Sequence, residues 1–322
     1  MPRIIEYPIE QLSGVQKISG FLKSKGYSEQ NLVNLKKDPD SIRLNGACVH
    51  QNRMLAEGDV LHVCIREQES SEQILPVPLP VFIVYEDEDL MVINKPAGMP
   101  IHPSRNNPDN SLGNALAWLY QEREEPFVFR CINRLDRDTS GLTIVAKHMV
   151  SAAILGRMVR QKADEGGIHR EYLAIVEGRL EEKKGTVSAP IARKESRCLE
   201  RIVDFTCGDP AVTHYHVVEE YPRASLVSLI LETGRTHQIR VHMKYLGHPL
   251  LGDFLYHPLY VANQIDRVEH PTVPSGCDIG RQALHAHRLS FTQPMTGEAL
   301  TFTAPLPEDM QALQKKCTVD SH

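Results

Sequence analysis

A ten-residue polar stretch between two apolar segments constrains the fold of this chain most strongly. Residues 133–142 have the sequence Asn-Arg-Leu-Asp-Arg-Asp-Thr-Ser-Gly-Leu, and the apolar segments 127–132 and 142–146 flank them. Short apolar runs separated by residues that favour turns are typical of two strands joined by a tight connection. The stretch therefore predicts a strand-to-strand loop that can present a carboxylate.

Asp136 is the candidate functional residue of this loop. Arg134 and Arg137 flank it closely, and a nearby cation favours the charged form of a carboxylate even where the surroundings are apolar. Such a group can act as a nucleophile, a general base or a metal ligand. An Asx-turn, in which the aspartate only shapes the loop, explains the same spacing, and the residues alone leave both interpretations open.

The loop resembles the signature of the RluA family of RNA pseudouridine synthases, His-Arg-Leu-Asp-x-x-Thr-Ser-Gly-Leu. Asn133 stands where that family usually has histidine, and the other fixed positions match. Residues 231–242, with the sequence Leu-Glu-Thr-Gly-Arg-Thr-His-Gln-Ile-Arg-Val-His, resemble a second family sequence, and residues 94–100, 170–178 and 281–291 resemble three more. The resemblance covers roughly residues 80–305.

This resemblance implies an α+β domain with a mostly antiparallel mixed sheet and an active site in a cleft across it. The implied reaction is the isomerisation of uridine to pseudouridine in RNA, which needs no cofactor. The implied catalytic residues are Asp136 as the acting carboxylate, Arg235 as its ion-pair partner and Tyr172 beside the base. In the family, an arginine at the position of Arg134 enters the space left by the everted uridine, and an aliphatic residue at that of Leu284 packs by the base. The full set of expected substrate-binding residues is Arg134, Leu135, Thr139, His237, Arg240 and Leu284.

Residues 1–67 predict a separate small unit. Apolar positions at helical spacing in residues 15–35 indicate two helices, with Ser28 as a cap between them. Asn45-Gly46 is a favoured two-residue hairpin turn, and residues 60–65 indicate a third strand. The pattern resembles the ribosomal-protein S-four-like RNA-binding domain. Residues 68–80 are acidic and then proline-rich, which predicts an extended linker, and residues 81–322 form the predicted catalytic domain.

Charge and cysteine content narrow the class of protein. The net charge is -5, but the acidic excess lies in residues 67–90, so local patches elsewhere have to attract RNA. Seven cysteines without a Cys-x-x-Cys pair indicate neither a disulfide framework nor a zinc site, and we predict no metal. No apolar run reaches membrane-spanning length and the start lacks a signal peptide, so a cytoplasmic protein without membrane contact is expected.

The predicted partner is structured RNA, and we expect the protein to be a monomer. The S-four-like unit favours ribosomal RNA over transfer RNA. A non-catalytic RNA-binding protein on the same fold is the alternative, but it should lack one of Asp136, Tyr172 and Arg235. A glycoside hydrolase using Asp136 and Asp138 needs carboxylates facing each other at about 5–10 Å, which neighbours two residues apart on one turn are poorly placed to provide.

Overall fold

The first 65 residues form a four-stranded antiparallel sheet with two helices packed against it. In the computed structural model, which describes residues 2–12, 14–67, 70–71, 73–196, 198–257 and 279–319, this sheet has the strand order β1-β4-β2-β3. Its elements are β1 (Arg3–Pro8), α1 (Ile18–Ser24), α2 (Glu29–Leu35), β2 (Ile42–Leu44), β3 (Ala47–Cys48) and β4 (Val60–Ile65).

Local sequence accounts for most of this unit. Ser28 accepts a hydrogen bond from the backbone of Asn31, whose side chain caps Ser28 in return, so the predicted helix start is confirmed. Asn45 and Gly46 both have positive φ, as a two-residue hairpin turn requires. Helix α1 begins three residues after Val15, which is exposed, and strand β1 was not predicted.

The remaining described strands form a ten-stranded sheet and a separate two-stranded sheet. The main path of the ten-stranded sheet runs β10-β13-β14-β9-β15-β8-β6-β5, with β16 beside β15 and β7 beside β8. Among the described strands every pairing in this sheet is antiparallel except β8 with β15, which confirms the mostly antiparallel mixed sheet of an α+β fold. The elements are β5 (Ile83–Glu86), β6 (Leu90–Lys95), α3 (Leu112–Glu122), β7 (Arg130–Cys131), β8 (Ser140–Ala146), α4 (Met149–Met158), β9 (His169–Glu177), β10 (Lys184–Ser188), β11 (Ile191–Arg193), β12 (Arg201–Val203), β13 (Val212–Glu220), β14 (Ala224–Leu231), α5 (Gln238–Tyr245), β15 (Leu284–Thr292), β16 (Ala299–Thr303) and α6 (Glu308–Val319).

The two parts of the chain are fastened to each other. Arg3 Nε donates to Asp89 Oδ1 at 2.7 Å, and Asn31 Nδ2 donates to the carbonyl of Met149 at 3.0 Å. Asp89 is 2% exposed and also accepts a hydrogen bond from His148 at 3.0 Å. Apolar side chains from both parts share one buried cluster. The first sheet is therefore docked onto the second by a buried ion pair and by packing.

The described residues of the predicted linker 68–80 contact the large sheet and α3. These residues form no helix or strand. Asn114 Nδ2 on α3 donates to the carbonyl of Leu75 at 2.7 Å, and the backbone carbonyl of Asn114 accepts from the backbone of Val77 at 3.2 Å. Ile74 and Leu79 pack against the core of the large sheet. Within the ranges described, no helix has the length and apolar content needed to cross a bilayer.

Candidate active site

A cleft of about 670 Å³ lies across the large sheet. Its volume is in the range of pockets that bind small molecules. Its walls come from the loop after β7, from the start of β9, from the segment between β14 and α5, and from the start of β15. The lining includes all nine residues for which the sequence predicts a catalytic or binding role: Arg134, Leu135, Asp136, Thr139, Tyr172, Arg235, His237, Arg240 and Leu284.

The loop that carries Asp136 is held by the strand after it. The backbone of Thr139 donates to the carbonyl of Asp136 at 3.1 Å, which closes a tight turn. Gly141 is the second residue of β8 and has φ +109, and a Cβ there would lie 2.2 Å from the carbonyl oxygen of Ala286 on β15. Only glycine fits this conformation and this close approach of two backbones. The signature glycine therefore fixes where the loop joins the sheet.

Asn133, the departure from the family signature, has a structural role. The side chain is 4% exposed, its Nδ2 donates to the carbonyl of Leu142 at 3.2 Å, and its Oδ1 accepts from the backbone of Ile144 at 2.8 Å. These bonds tie the beginning of the loop to β8. The amide satisfies two backbone groups that burial would otherwise leave unpaired.

Two buried basic side chains, Lys95 and Arg281, bind backbone carbonyls of the loop that carries Asp136. Lys95 Nζ donates to the carbonyls of Pro96, Met99 and Arg137 at 2.7, 2.8 and 3.0 Å. Burial lowers the pKa of Lys95 to about 7, although the charges of the aspartates on the loop oppose the shift. Arg281 Nη1 donates to the carbonyl of Asp138 at 3.1 Å. The polypeptide on the C-terminal side of Asp136 is therefore fixed through its own carbonyls.

Arg240 on α5 is the ion-pair partner of Asp136. Its Nη1 donates to Asp136 Oδ2 at 3.1 Å, while Nε and Nη2 hold both oxygens of Asp253 at 2.7 and 2.8 Å. Arg240 is 7% exposed and Asp253 is 0% exposed. Burial opposes the charge of Arg240, but the bonds to Asp253 and the charges of both aspartates raise its pKa above the usual value. A permanent cation thus fixes one oxygen of Asp136.

The predicted pairing of Arg235 with Asp136 is wrong. Arg235 precedes α5, its side chain is 42% exposed, and its Nε donates to the carbonyl of Pro210 at 3.1 Å. Its nearest carboxylate partner is Asp209, at 3.8 Å. Arg235 lies on the rim of the cleft, whereas Arg240, five residues further along and inside α5, faces inward. The prediction chose the wrong arginine of the two in this segment.

The turn before α5 is organised by Gln238. Its Oε1 accepts from Thr233 Oγ1 at 2.7 Å and from the backbone of Arg235 at 2.9 Å, and its Nε2 donates to Thr213 Oγ1 at 3.0 Å and to the carbonyl of Val212 at 2.9 Å. The amide thereby joins the turn to β13. This explains why a glutamine follows the histidine in the sequence Thr-Gly-Arg-Thr-His-Gln.

His237 approaches Asp136 from a second side. It lies in the left-handed region with φ 59, and its Nε2 lies 3.9 Å from Asp136 Oδ2. Its Nδ1 pairs with the hydroxyl of Tyr256 at 2.7 Å, and that hydroxyl also accepts from the backbone of Arg201 at 2.8 Å. Burial lowers the pKa of His237, with Asp136 opposing the shift. A neutral His237 whose Nδ1 accepts from Tyr256 carries its proton on Nε2, toward Asp136.

Apolar side chains form the wall opposite these charges. Leu135, Tyr172 and Leu284 are 7%, 6% and 4% exposed and belong to one buried cluster. Burial raises the pKa of Tyr172, and the charge of Asp136 acts in the same direction. The hydroxyl of Tyr172 is therefore protonated at neutral pH. A flat apolar wall beside a carboxylate suits a planar base.

The remaining predicted residues have simpler surroundings. Arg134 is exposed at the mouth of the cleft. Thr139 is 2% exposed, and its hydroxyl accepts from Gln282 Nε2 at 3.3 Å. The described residues contain no group of three or more histidine, cysteine or acidic side chains able to hold a metal ion.

Sequence reasoning missed several residues of the site. Asp253 and Tyr256 hold Arg240 and His237, and Lys95 holds the loop. Asp253 follows a glycine eleven residues after the end of the second family segment at residue 242, and this Gly-Asp pair was the available signal for it. Nothing in the spacing of Tyr256 distinguishes it from a core tyrosine.

The chain is similar to known RNA-modifying proteins along most of its length. A family model described as RNA pseudouridylate synthase matches residues 89–245. The Uncharacterized RNA pseudouridine synthase YjbO of Bacillus subtilis is 41% identical over 290 residues, which are 90% of this chain and 95% of that protein. The Ribosomal large subunit pseudouridine synthase D of Vibrio parahaemolyticus is 40% identical over 281 residues, covering 87% of this chain and 84% of that protein.

Solved structures give the same fold. Human RNA Pseudouridylate Synthase Domain Containing 1 superimposes with a TM-score of 0.54 at 28% identity, covering 73% of this chain and 87% of that one. Human RNA Pseudouridylate Synthase Domain Containing 4 superimposes with a TM-score of 0.55 at 22% identity, covering 73% and 92%. These two proteins therefore share the fold over 73% of this chain.

Proposed function

The chain belongs to the RNA pseudouridylate synthase family and is an RNA pseudouridine synthase, and we propose that it isomerises uridines of structured ribosomal RNA through the carboxylate of Asp136. The observation that supports this most is the ion pair between Asp136 and Arg240 at 3.1 Å on the charged wall of the cleft, with Tyr172 on the apolar wall. The similarity to a Ribosomal large subunit pseudouridine synthase D supports ribosomal RNA as the substrate.

The reaction breaks the bond between ribose and a ring nitrogen of uracil, turns the base, and forms a bond from ribose to a ring carbon. The ring nitrogen gains a proton and the ring carbon loses one. Asp136 assists the first step either by covalent attack or by stabilising positive charge on the sugar. Arg240 and His237 fix the carboxylate so that little reorganisation is needed when charge develops.

Tyr172 contacts the detached base. Because its pKa is raised by burial, its hydroxyl is a donor at neutral pH and is poorly suited to remove the proton from the ring carbon unaided. We therefore assign Tyr172 to holding and orienting uracil, together with Leu135 and Leu284. Loss of the proton from the ring carbon restores the aromatic ring, so a base of ordinary strength is enough to remove it.

The uridine has to leave its stack to reach Asp136, at a cost of a few kcal/mol. Arg134, exposed at the mouth of the cleft, is proposed to enter the space that the base leaves. Arg235 on the rim is proposed to contact the RNA backbone, since it does not reach Asp136.

The first sheet with α1 and α2 is proposed as an S-four-like RNA-binding unit. Lys36 and Lys37 after α2 are exposed, as are Lys23 and Lys25 at the end of α1. Docking through Arg3 holds this surface at a fixed distance from the cleft, so the unit selects RNA by shape. We propose that the enzyme acts on this RNA in the cytoplasm and as a monomer.

Pseudouridine maps test the substrate. Ribosomal and transfer RNA from cells with and without this protein should differ at specific uridines of ribosomal RNA, and a plasmid copy should restore them. Loss of pseudouridine from transfer RNA alone would contradict the proposed substrate while leaving the activity intact. Identical maps, together with no conversion of a ribosomal RNA transcript by the purified protein, would contradict the function itself.

A further inference from the structure

Arg170 is a buried arginine without a carboxylate partner. It lies on β9, two residues before Tyr172, lines the cleft and is 4% exposed. Two other arginines of the described chain are equally buried, and each holds a carboxylate with two hydrogen bonds: Arg240 holds Asp253, and Arg281 holds Asp309. None of the described carboxylates forms an ion pair with Arg170.

The hydrogen bonds of Arg170 leave most of its donors unused. Nη2 donates to the carbonyls of Leu231 and Glu232 at 3.3 and 3.4 Å, which are long bonds. Nε is buried and has no hydrogen-bond partner in the described residues. Burying a charge without a counter-charge is costly, and a protein keeps such a group where an anion arrives from outside.

Gly234 leaves one nitrogen of Arg170 accessible. A Cβ at Gly234 would lie 3.1 Å from Arg170 Nη1. The φ of Gly234 is not in the left-handed region, so the backbone does not itself require glycine there. The absence of a side chain keeps this part of the guanidinium uncovered on the cleft side.

We propose that Arg170 binds an anionic oxygen of the nucleotide in the cleft. The oxygen comes either from an RNA phosphate beside the everted uridine or from the uracil ring, which keeps the electron pair of its bond to ribose when that bond breaks. Alternate residues of a strand point to one face, so Arg170 and Tyr172 face the same nucleotide. This inference rests on the function proposed above, and it adds the residue that balances the negative charge of the substrate.

The two sources of the oxygen predict different kinetics. A phosphate contact exists in the bound substrate, so Arg170→Met should raise the Kd for RNA at least about tenfold and reduce the salt slope of binding by about one. A contact to the uracil anion exists only after bond cleavage. In that case Kd stays unchanged and the single-turnover rate at saturating RNA falls by at least about tenfold.

The test uses a transcript of bacterial large-subunit ribosomal RNA whose uridines carry tritium on the ring carbon that loses its hydrogen. Binding and tritium release are measured for wild type, Arg170→Met, Arg170→Lys and Gly234→Ala, with Arg288→Met as the control on an exposed arginine of β15 that does not line the cleft. Arg170→Lys should recover part of the loss, because lysine keeps the positive charge but lacks the planar array of donors of a guanidinium. Gly234→Ala should change the same quantity, Kd or single-turnover rate, in the same direction but by less, because it does not remove the charge.

Two outcomes would overturn the inference. In one, Arg170→Met and Gly234→Ala match the control in both Kd and rate. In the other, Arg170→Met lowers only the melting temperature, which indicates a purely structural arginine. An inactive wild-type protein would instead contradict the proposed function, so the two failures are distinguishable.

Discussion

Replacing Arg240 by methionine removes both of its carboxylate contacts, and the effects of the two losses can be measured separately. Arg240 is 7% exposed and bridges Asp253, which is 0% exposed, and Asp136, whose side chain is 25% exposed. Methionine has a similar length and fills the same space without charge. The substitution leaves Asp253 buried without a counter-charge, and it leaves Asp136 without the donor that fixes its orientation.

The two losses have different magnitudes and different assays. An unpaired buried carboxylate costs about 3–5 kcal/mol of unfolding free energy. Asp253→Asn as a second change should return most of it, because asparagine is neutral and its oxygen can still accept from the backbone of Leu255 and Tyr256. The misplaced Asp136 should lower the single-turnover rate about 100-fold in both variants.

Urea unfolding and tritium release measure these effects separately, and Arg235→Met is the matched control for the unfolding measurement. Arg235 is exposed and bonds only a backbone carbonyl and a distant carboxylate, so its loss should change unfolding free energy by less than about 0.5 kcal/mol. If the Arg240→Met/Asp253→Asn variant recovered activity together with stability, the contact from Arg240 to Asp136 would have no catalytic role. Wild-type stability in Arg240→Met alone would refute the buried ion-pair argument.

Three further outcomes are expected. Gly141→Ala, which puts a Cβ 2.2 Å from a facing carbonyl oxygen, should lower the unfolding free energy in urea by more than about 3 kcal/mol. Gly156 lies within α4, and a Cβ there would meet no atom within 4 Å, so Gly156→Ala should stabilise the protein by up to about 1 kcal/mol. Burial lowers the pKa of His285 to about 4. Between pH 6.5 and about 4 the unfolded state therefore binds one more proton than the folded state, so about 3 kcal/mol of stability is lost as the pH falls through that window. His285→Gln should flatten this pH dependence of the unfolding free energy. Arg3→Ala, which removes the cation beside buried Asp89, should expose the N-terminal unit to limited proteolysis without reducing the activity of the cleft on a short RNA.

The large sheet could be predicted because short segments of the sequence determine its strands and turns. Apolar runs around residues 133–142 and the glycine after them determine the strands and the turn, and hairpin and capping residues such as Asn45 and Ser28 determine the small unit. Strand β1 was missed because its residues alternate weakly and because it is stabilised by pairing with β4. That partner lies more than fifty residues away in the chain.

The site was less predictable because helix rotation and buried partners are tertiary properties. Periodicity places Arg240 on one face of α5, but it does not show that this face meets Asp136, so the sequence could not choose between Arg235 and Arg240. Arg240, which the sequence predicts to bind the substrate, instead forms ion pairs with Asp136 and Asp253. Arg170 belonged to a recognised pattern, yet its lack of a carboxylate partner is visible only once the buried arginines can be compared.

The central claim is that Asp136 performs the chemistry, and its neighbour in the same loop allows a direct test. Asp138 is two residues away and pairs with Arg137 at 2.9 Å, so Asp138→Asn changes the same charge at the same loop. Tritium release and RNA affinity should be measured for both variants on one transcript. Asp136→Asn should bind the RNA like wild type and form no pseudouridine, while Asp138→Asn should remain active; activity in Asp136→Asn, or equal loss in both, would contradict the account.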